Sequence, residues 1–213
     1  MFGILIVPSI AYLLVSSGKN NYQKLEIFGP KEPIEGKPGD TLYHVISPFE
    51  LTAQDSTPFT DQNLSGKIYV ANFFFATCKS ICPKMSMQMK RVQEAYRDDP
   101  EIVLVSHTIN PEKDSVAALA RYSNEYGGLP GKWFFVTGDK KELYGLARES
   151  YFVAAVPVDP KTSGGPSDFI HSEKLILVDK EKRIRGFYDG TDYESVNLLI
   201  DEIKVLKWEY SNQ

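Results

Sequence analysis

The chain has 213 residues, of which 42% are hydrophobic and 12% aromatic, enough for one substantial core and too few for a second full domain. Its net charge is −4, and its 24 basic and 28 acidic residues are spread along the chain rather than gathered in a basic stripe. Binding to a nucleic-acid backbone requires such a stripe, so we do not expect nucleic acid as a partner.

Residues 2–17, "FGILIVPSIAYLLVSS", carry no charge and predict a membrane anchor or signal over 1–17. The run is short for a spanning helix, which needs about 20 apolar residues. A cleaved signal peptide is the alternative, since Val15, Ser16 and Ser17 are small enough for a cleavage site. No Lys or Arg precedes the run, which favours an uncleaved anchor. Either way we expect the rest of the chain on the periplasmic or extracytoplasmic side of the cytoplasmic (inner) membrane.

Residues 18–40 are rich in Gly, Pro and Lys and show no hydrophobic period, which predicts a tether. The folded domain is then expected over 41–213. It begins with two short strands around a polar turn at 54–57, followed by a buried strand over 68–75. A helix is predicted over 83–99, with Pro83 in its first turn, where proline is tolerated.

The remaining elements alternate in type. We predict a strand over 101–109, a helix over 112–128, a strand over 132–138, a short helix over 139–150, a hairpin over 172–190 and a closing helix over 192–210. Strands alternating with helices indicate a central sheet covered on both faces. The order β-α-β-α-β-β-α predicts an α/β, thioredoxin-like three-layer sandwich.

Cys78 and Cys82, the only cysteines, lie where the first buried strand leads into a helix. Unpaired N–H groups and the helix dipole favour an anion there, which lowers a thiol pKa. The thiolate is the form that attacks disulfides and binds metals. Four residues along a helix put both side chains on one face, so the sulfurs can bond to each other or share one ion.

Two structural explanations compete with a functional one. A disulfide closing so short a loop contributes only about 2 kcal/mol, which a domain of this size does not need. Two free thiols acting as buried hydrophobes fit poorly with the polar Lys79 and Ser80 between them. We therefore favour a functional pair.

The three histidines of the chain are the candidates for a third metal ligand. His171 lies just before the predicted hairpin strand, and in thioredoxin-like folds the loop before that strand passes beside the cysteine-bearing helix. Two thiolates and an imidazole suit copper and are possible for zinc. His107, at a strand end, is interpreted as structural, and His44 is given no role. Of the methionines after the cysteines, Met85 and Met89 share a helix face with Cys82 and are interpreted as core, while Met87 points elsewhere.

Three segments, "FFFATCKSICPKM", "SHTINPEKDS" and "DFIHSEKLILVDKEKRIRGFYDG", together resemble the Sco/SenC family of copper metallochaperones. The resemblance covers roughly residues 41–208 and extends to the anchor and tether. It implies that Cys78, Cys82 and His171 bind a copper ion, and that the protein assists assembly of the copper A site of cytochrome c oxidase. It further implies, as partners, the oxidase subunit with that site, a copper donor protein and a thiol reductant. Asn110 departs from the family, which often has Asp there.

A thiol–disulfide oxidoreductase is the alternative function, with Cys78 as nucleophile and Cys82 as resolving thiol. This enzyme would act on cysteines of an exported partner without a stable metal. Dithiol exchange does not need a distal imidazole, so His171 favours the copper site. A thiol peroxidase has no support beyond the predicted fold.

Overall fold

The computed structural model describes residues 23–34, 36–37, 39–153 and 172–212. Its strands are β1 (Lys31–Pro33), β2 (Thr41–Tyr43), β3 (Glu50–Ala53), β4 (Pro58–Thr60), β5 (Ile68–Phe74), β6 (Ile102–Thr108), β7 (Trp133–Thr137), β8 (Lys174–Val178) and β9 (Ile184–Asp189). Its α-helices are α1 (Ile81–Ala95), α2 (Val116–Tyr126), α3 (Lys140–Gly145) and α4 (Tyr193–Ser211). A 3₁₀ turn covers Asp61–Leu64, and a π-helix over Leu146–Ser150 continues α3.

The central sheet has the strand order β4-β3-β7-β6-β5-β8-β9. β5, β6 and β7 are parallel, while β8 pairs antiparallel with β5 and forms a hairpin with β9. The carboxyl ends of the three parallel strands therefore meet at one edge of the sheet. This topology, with helices on both faces, confirms the predicted thioredoxin-like fold.

Alternating side chains of the central strands build two cores. Ile68 and Val70 of β5 face a core with α1, α2 and α4, whereas Tyr69 and Ala71 face a second core with α3 and the π-helix. Every residue of β5 and of β6 is buried, as the apolar runs predict for strands covered on both sides. The cysteines belong to the core of α1, α2 and α4.

Local capping fixes the ends of the helices. Ser115 accepts a hydrogen bond from the Ala118 N–H at the start of α2, as N-cap serines do. Gly127 ends the same helix with φ 72°, a left-handed conformation that favours glycine. Gly127 and Gly128, predicted as the end of this helix, directly follow its last residue, Tyr126.

The described part of residues 18–40 contacts the domain rather than standing free of it. β1 pairs with β2, and the Phe28 N–H donates to the Ile184 carbonyl at 2.9 Å. Buried Arg185 donates to the carbonyls of Leu25 at 2.7 Å and Glu26 at 3.0 Å. The predicted anchor over 1–17 lies outside the described residues. Within the described part of the chain, no helix combines the length and apolarity needed to cross a membrane.

Candidate metal and dithiol site

A backbone turn between β5 and α1 carries the first cysteine. The Cys78 N–H donates to the Phe75 carbonyl at 3.1 Å, closing the turn. Ser80 then has φ −110° and ψ −88°, and α1 begins only at Ile81. Cys82 is therefore in the first turn of the helix, whereas Cys78 lies before it. The expectation that a helical repeat places both cysteines on one face was wrong, because this turn brings Cys78 to Cys82.

The pKa values of the two thiols are shifted in opposite directions. Burial raises the pKa of Cys78, but hydrogen bonds from the thiol and backbone of Cys82 and from Ser80 outweigh it and lower this pKa to about 7. Burial, the contact with Cys78 and the charge of Asp114 together raise the pKa of Cys82 to about 12, against a lowering by the backbone of Phe75. As pH rises above about 7, Cys78 thus becomes a thiolate that accepts a hydrogen bond from the still protonated Cys82.

A groove of about 430 Å³ leads to Cys78 from the surface. It is lined by Ala76, Thr77, Cys78, Lys79, Pro83, Tyr122, Glu125 and Tyr126. Cys78 is 7% exposed and Cys82 3% exposed. Cys78 is therefore the thiol that an incoming group meets first, and Cys82 lies behind it.

The loop after β6 supports the turn over Phe75–Cys78, called the cysteine turn below. The supporting residue is Asp114, which is fully buried. Its Oδ2 accepts hydrogen bonds from the Ala76 N–H at 3.0 Å and the Thr108 hydroxyl at 2.5 Å. Its Oδ1 has no hydrogen-bond partner within the described residues. Asn110 in this loop was singled out from the sequence, whereas Asp114 was not. The available signal was an acidic side chain directly before Ser115, the cap of α2.

None of the three histidines is seen beside the cysteines in the described part of the chain. His171, the predicted third ligand, lies outside the described residues. His107 is in register with Phe73 and packs against Phe73, Phe49 and Tyr151, on the sheet face opposite the cysteines. This placement confirms His107 as a structural residue. His44 hydrogen-bonds the Ser150 carbonyl at 2.8 Å.

The methionines of α1 take the predicted positions. Met85 and Met89 are fully buried in the core that contains Cys82, while Met87 is 56% exposed. Among the described residues, no three His, Cys, Asp or Glu side chains converge as a metal site. The donors that the described residues bring together are thus the two sulfurs.

A low-pKa thiol paired with a protonated one at the start of a helix, on a thioredoxin-like sheet, defines a dithiol protein of the thioredoxin-like class. Comparison with known proteins narrows the class. A sequence model of the SCO1/SenC family matches residues 38–206. The chain therefore belongs to the SCO1/SenC family.

Individual relatives agree with this assignment. The SCO1 protein homolog of Bacillus subtilis is 25% identical over 167 residues, covering 78% of this chain and 84% of the homolog. A putative copper-binding protein of Stutzerimonas stutzeri is 29% identical over 145 residues, covering 66% of this chain and 67% of the relative.

Solved structures show the same fold. A SCO1/SenC family lipoprotein of Bacillus anthracis superposes with a TM-score of 0.67 at 23% identity, covering 77% of this chain and 95% of the lipoprotein. ScoI of Arabidopsis thaliana, solved with copper bound, superposes with a TM-score of 0.58 at 24% identity, covering 75% of this chain and 98% of that protein.

Proposed function

We propose that this protein is a copper metallochaperone that holds a copper ion, its cargo, between Cys78 and Cys82 with His171 as the third ligand. One observation carries the proposal: the two thiols of a SCO1/SenC chain meet at the start of α1, and one of them has a pKa of about 7. Relatives named for copper binding, or solved with copper bound, support copper as the cargo.

The donor set fits a soft metal ion. Thiolates prefer Cu(I) among the biological metals, and the Cys78 thiol ionises near neutral pH. Cys82 keeps its proton until the ion arrives, because burial raises the pKa of Cys82 to about 12. Loading therefore displaces the Cys82 proton. Hydrogen bonds from the backbone of Ser80 and Cys82 stabilise the negative charge on the Cys78 sulfur.

The groove beside Cys78 provides the route for transfer. A donor or acceptor protein reaches Cys78 past Lys79, Pro83 and Tyr126, whereas Cys82 does not line this groove. In this scheme the cargo enters and leaves through ligand exchange at Cys78 while Cys82 holds it. His171 completes the site and adds the nitrogen that Cu(II) prefers.

The recipient in this proposal is the cytochrome c oxidase subunit that carries the copper A site. The solved relative BsSco is a member of the Sco family of cytochrome c oxidase assembly proteins, which supports the assignment. A copper donor protein and a thiol reductant complete the partners. The apolar run over 2–17 would tether the domain to the outer face of the cytoplasmic membrane.

A second function is favoured by the same pair of thiols. A thiolate with a pKa of about 7 in front of a protonated partner is the arrangement of a nucleophile and a resolving thiol. Cys78 would attack a disulfide of an exported protein to form a mixed disulfide. Cys82 would then attack that bond, forming the Cys78–Cys82 disulfide and releasing the reduced protein. A disulfide switch has been identified in the solved relative BsSco.

Paired measurements on the reduced protein separate the two functions. We expect anaerobic titration against a Cu(I) chelator to show tight one-to-one binding. We also expect the reduction potential of the Cys78–Cys82 pair to be neither strongly oxidising nor strongly reducing. Weak copper binding combined with a strongly oxidising or strongly reducing cysteine couple would support the oxidoreductase instead.

A further inference from the structure

The cysteine turn is held from outside by a single buried carboxylate. Asp114 Oδ2 accepts the N–H of Ala76, two residues before Cys78, at 3.0 Å. The same oxygen accepts the Thr108 hydroxyl at 2.5 Å, which fixes the carboxylate to the end of β6. Through Asp114 the turn is joined to a strand in the middle of the sheet.

Fold stability does not explain a carboxylate at this position. Asp114 is fully buried, and Oδ1 has no hydrogen-bond partner among the described residues. A buried polar atom without a partner costs about 1–3 kcal/mol, more when charged. Every hydrogen bond that Asp114 makes through its side chain within the described structure goes to the cysteine turn or to the residue that supports it.

We propose that Asp114 is a positioning residue for the cysteine pair: by fixing the Ala76 amide it holds Cys78 beside Cys82. The inference rests on the proposed role of these two cysteines as a working pair, but it concerns their geometry and needs no metal. A turn released from Asp114 would let Cys78 sample positions away from Cys82, lowering the effective concentration of one thiol at the other.

Exchange with glutathione measures that effective concentration in the metal-free full chain. The Cys78–Cys82 bond forms, the S–S bond of glutathione disulfide breaks, and the two thiol protons pass to the two glutathiones released. We expect Asp114→Ala to lower the equilibrium constant of this reaction about tenfold, the effect of losing one net hydrogen bond. Asp114→Asn retains an acceptor oxygen for the Ala76 amide, and we expect it to stay within about threefold of the unmodified protein.

A matched control separates positioning from general destabilisation. Ser106, also on β6 and buried, makes two side-chain hydrogen bonds, to Asn72 and Trp133, away from the cysteine turn. Ser106→Ala should lower the free energy of unfolding and leave the exchange constant unchanged. If Asp114→Ala does not fold, Thr108→Val removes the hydroxyl that fixes the carboxylate and should lower the constant in the same direction.

Two results would overturn the inference. One is an unchanged constant in Asp114→Ala, or in Thr108→Val if that variant is needed. The other is an equal loss in Asp114→Asn and Asp114→Ala, which would assign the effect to charge rather than to position. Copper titration of the unmodified protein stands apart from both results, so a failure of the proposed copper function would be recognised separately.

Discussion

Arg185 donates a hydrogen bond from Nη2 to the carbonyl oxygen of Leu25 at 2.7 Å, joining β9 to a segment 160 residues earlier in the chain. The guanidinium is 3% exposed and also pairs with Asp179 and Glu209. In return, the Leu25 N–H donates to Glu209 at 2.7 Å. A buried ion-pair network therefore binds the backbone of the N-terminal segment to the domain.

Removing this segment should destabilise the fold. A chain starting at residue 41 leaves Arg185 without its two carbonyl acceptors, and we expect it to lose about 2–4 kcal/mol in the free energy of unfolding. A chain starting at residue 23 keeps the contacts and serves as the control. Urea denaturation compares the two. Equal stability would mean that the segment contributes nothing, and that the domain begins at residue 41.

Cys78 and Cys82 should react with iodoacetamide over separate pH ranges. The pKa of Cys78 is lowered to about 7, so its thiolate is abundant above that pH, while the pKa of Cys82 is raised to about 12. We expect the alkylation rate of Cys78 to rise with pH and level off above about 8, with Cys82 unreactive there. Mass spectrometry of the labelled peptides assigns the sites. A common midpoint near the ordinary thiol value of about 8.5 would contradict the hydrogen-bonded pair.

The free energy of unfolding should fall at acid pH because of His107. Burial lowers the pKa of His107 from 6.5 to about 4, so the unfolded chain binds the proton more tightly than the native state does. Stability from this group is complete above about 6.5 and falls as pH drops to 4, by about 3 kcal/mol in total. His107→Phe should remove this part of the pH dependence and leave copper binding intact. An acid slope unchanged by the substitution would show that His107 takes up its proton as readily in the native state as in the unfolded chain.

Much of the fold was predictable because its signals are local. Apolar runs mark β5 and β6, Gly127 marks the end of α2, and Pro83 lies in the first turn of α1. The start of α1 was not predictable to the residue. Residues 76–80 show no apolar period, and the turn that carries Cys78 depends on a backbone hydrogen bond to Phe75.

Long-range polar contacts explain what the sequence could not indicate. The attachment of residues 23–28 rests on backbone carbonyls and one distant arginine, which leave no hydrophobic pattern. Asp114 likewise supports the cysteine turn across 38 residues. In contrast, Cys78 and Cys82 could be singled out from their position between a strand and a helix alone.

Replacing His171 by Ala should separate the two copper states. Two thiolates satisfy Cu(I), whereas Cu(II) prefers nitrogen or oxygen ligands, so the variant should still bind Cu(I) and lose most of its Cu(II) affinity. Affinities for each ion are measured separately with competing chelators. Intact Cu(II) binding would place the third ligand elsewhere, and His107, on the opposite face of the sheet, is not a candidate.

Serine substitutions at Cys78 and Cys82 test the central claim most directly. Serine keeps the size of the side chain and supplies a hard, poor ligand for Cu(I), while neither thiol carries a structural disulfide here. We expect each single variant to lose Cu(I) affinity at least about a hundredfold, with Cys78→Ser folding as stably as the unmodified protein and Cys82→Ser, from the core, losing about 1 kcal/mol. The measurement is anaerobic Cu(I) competition with a chelator, alongside urea denaturation of the same samples. Cu(I) affinity retained in either variant, with the fold intact, would contradict a copper site built on this pair.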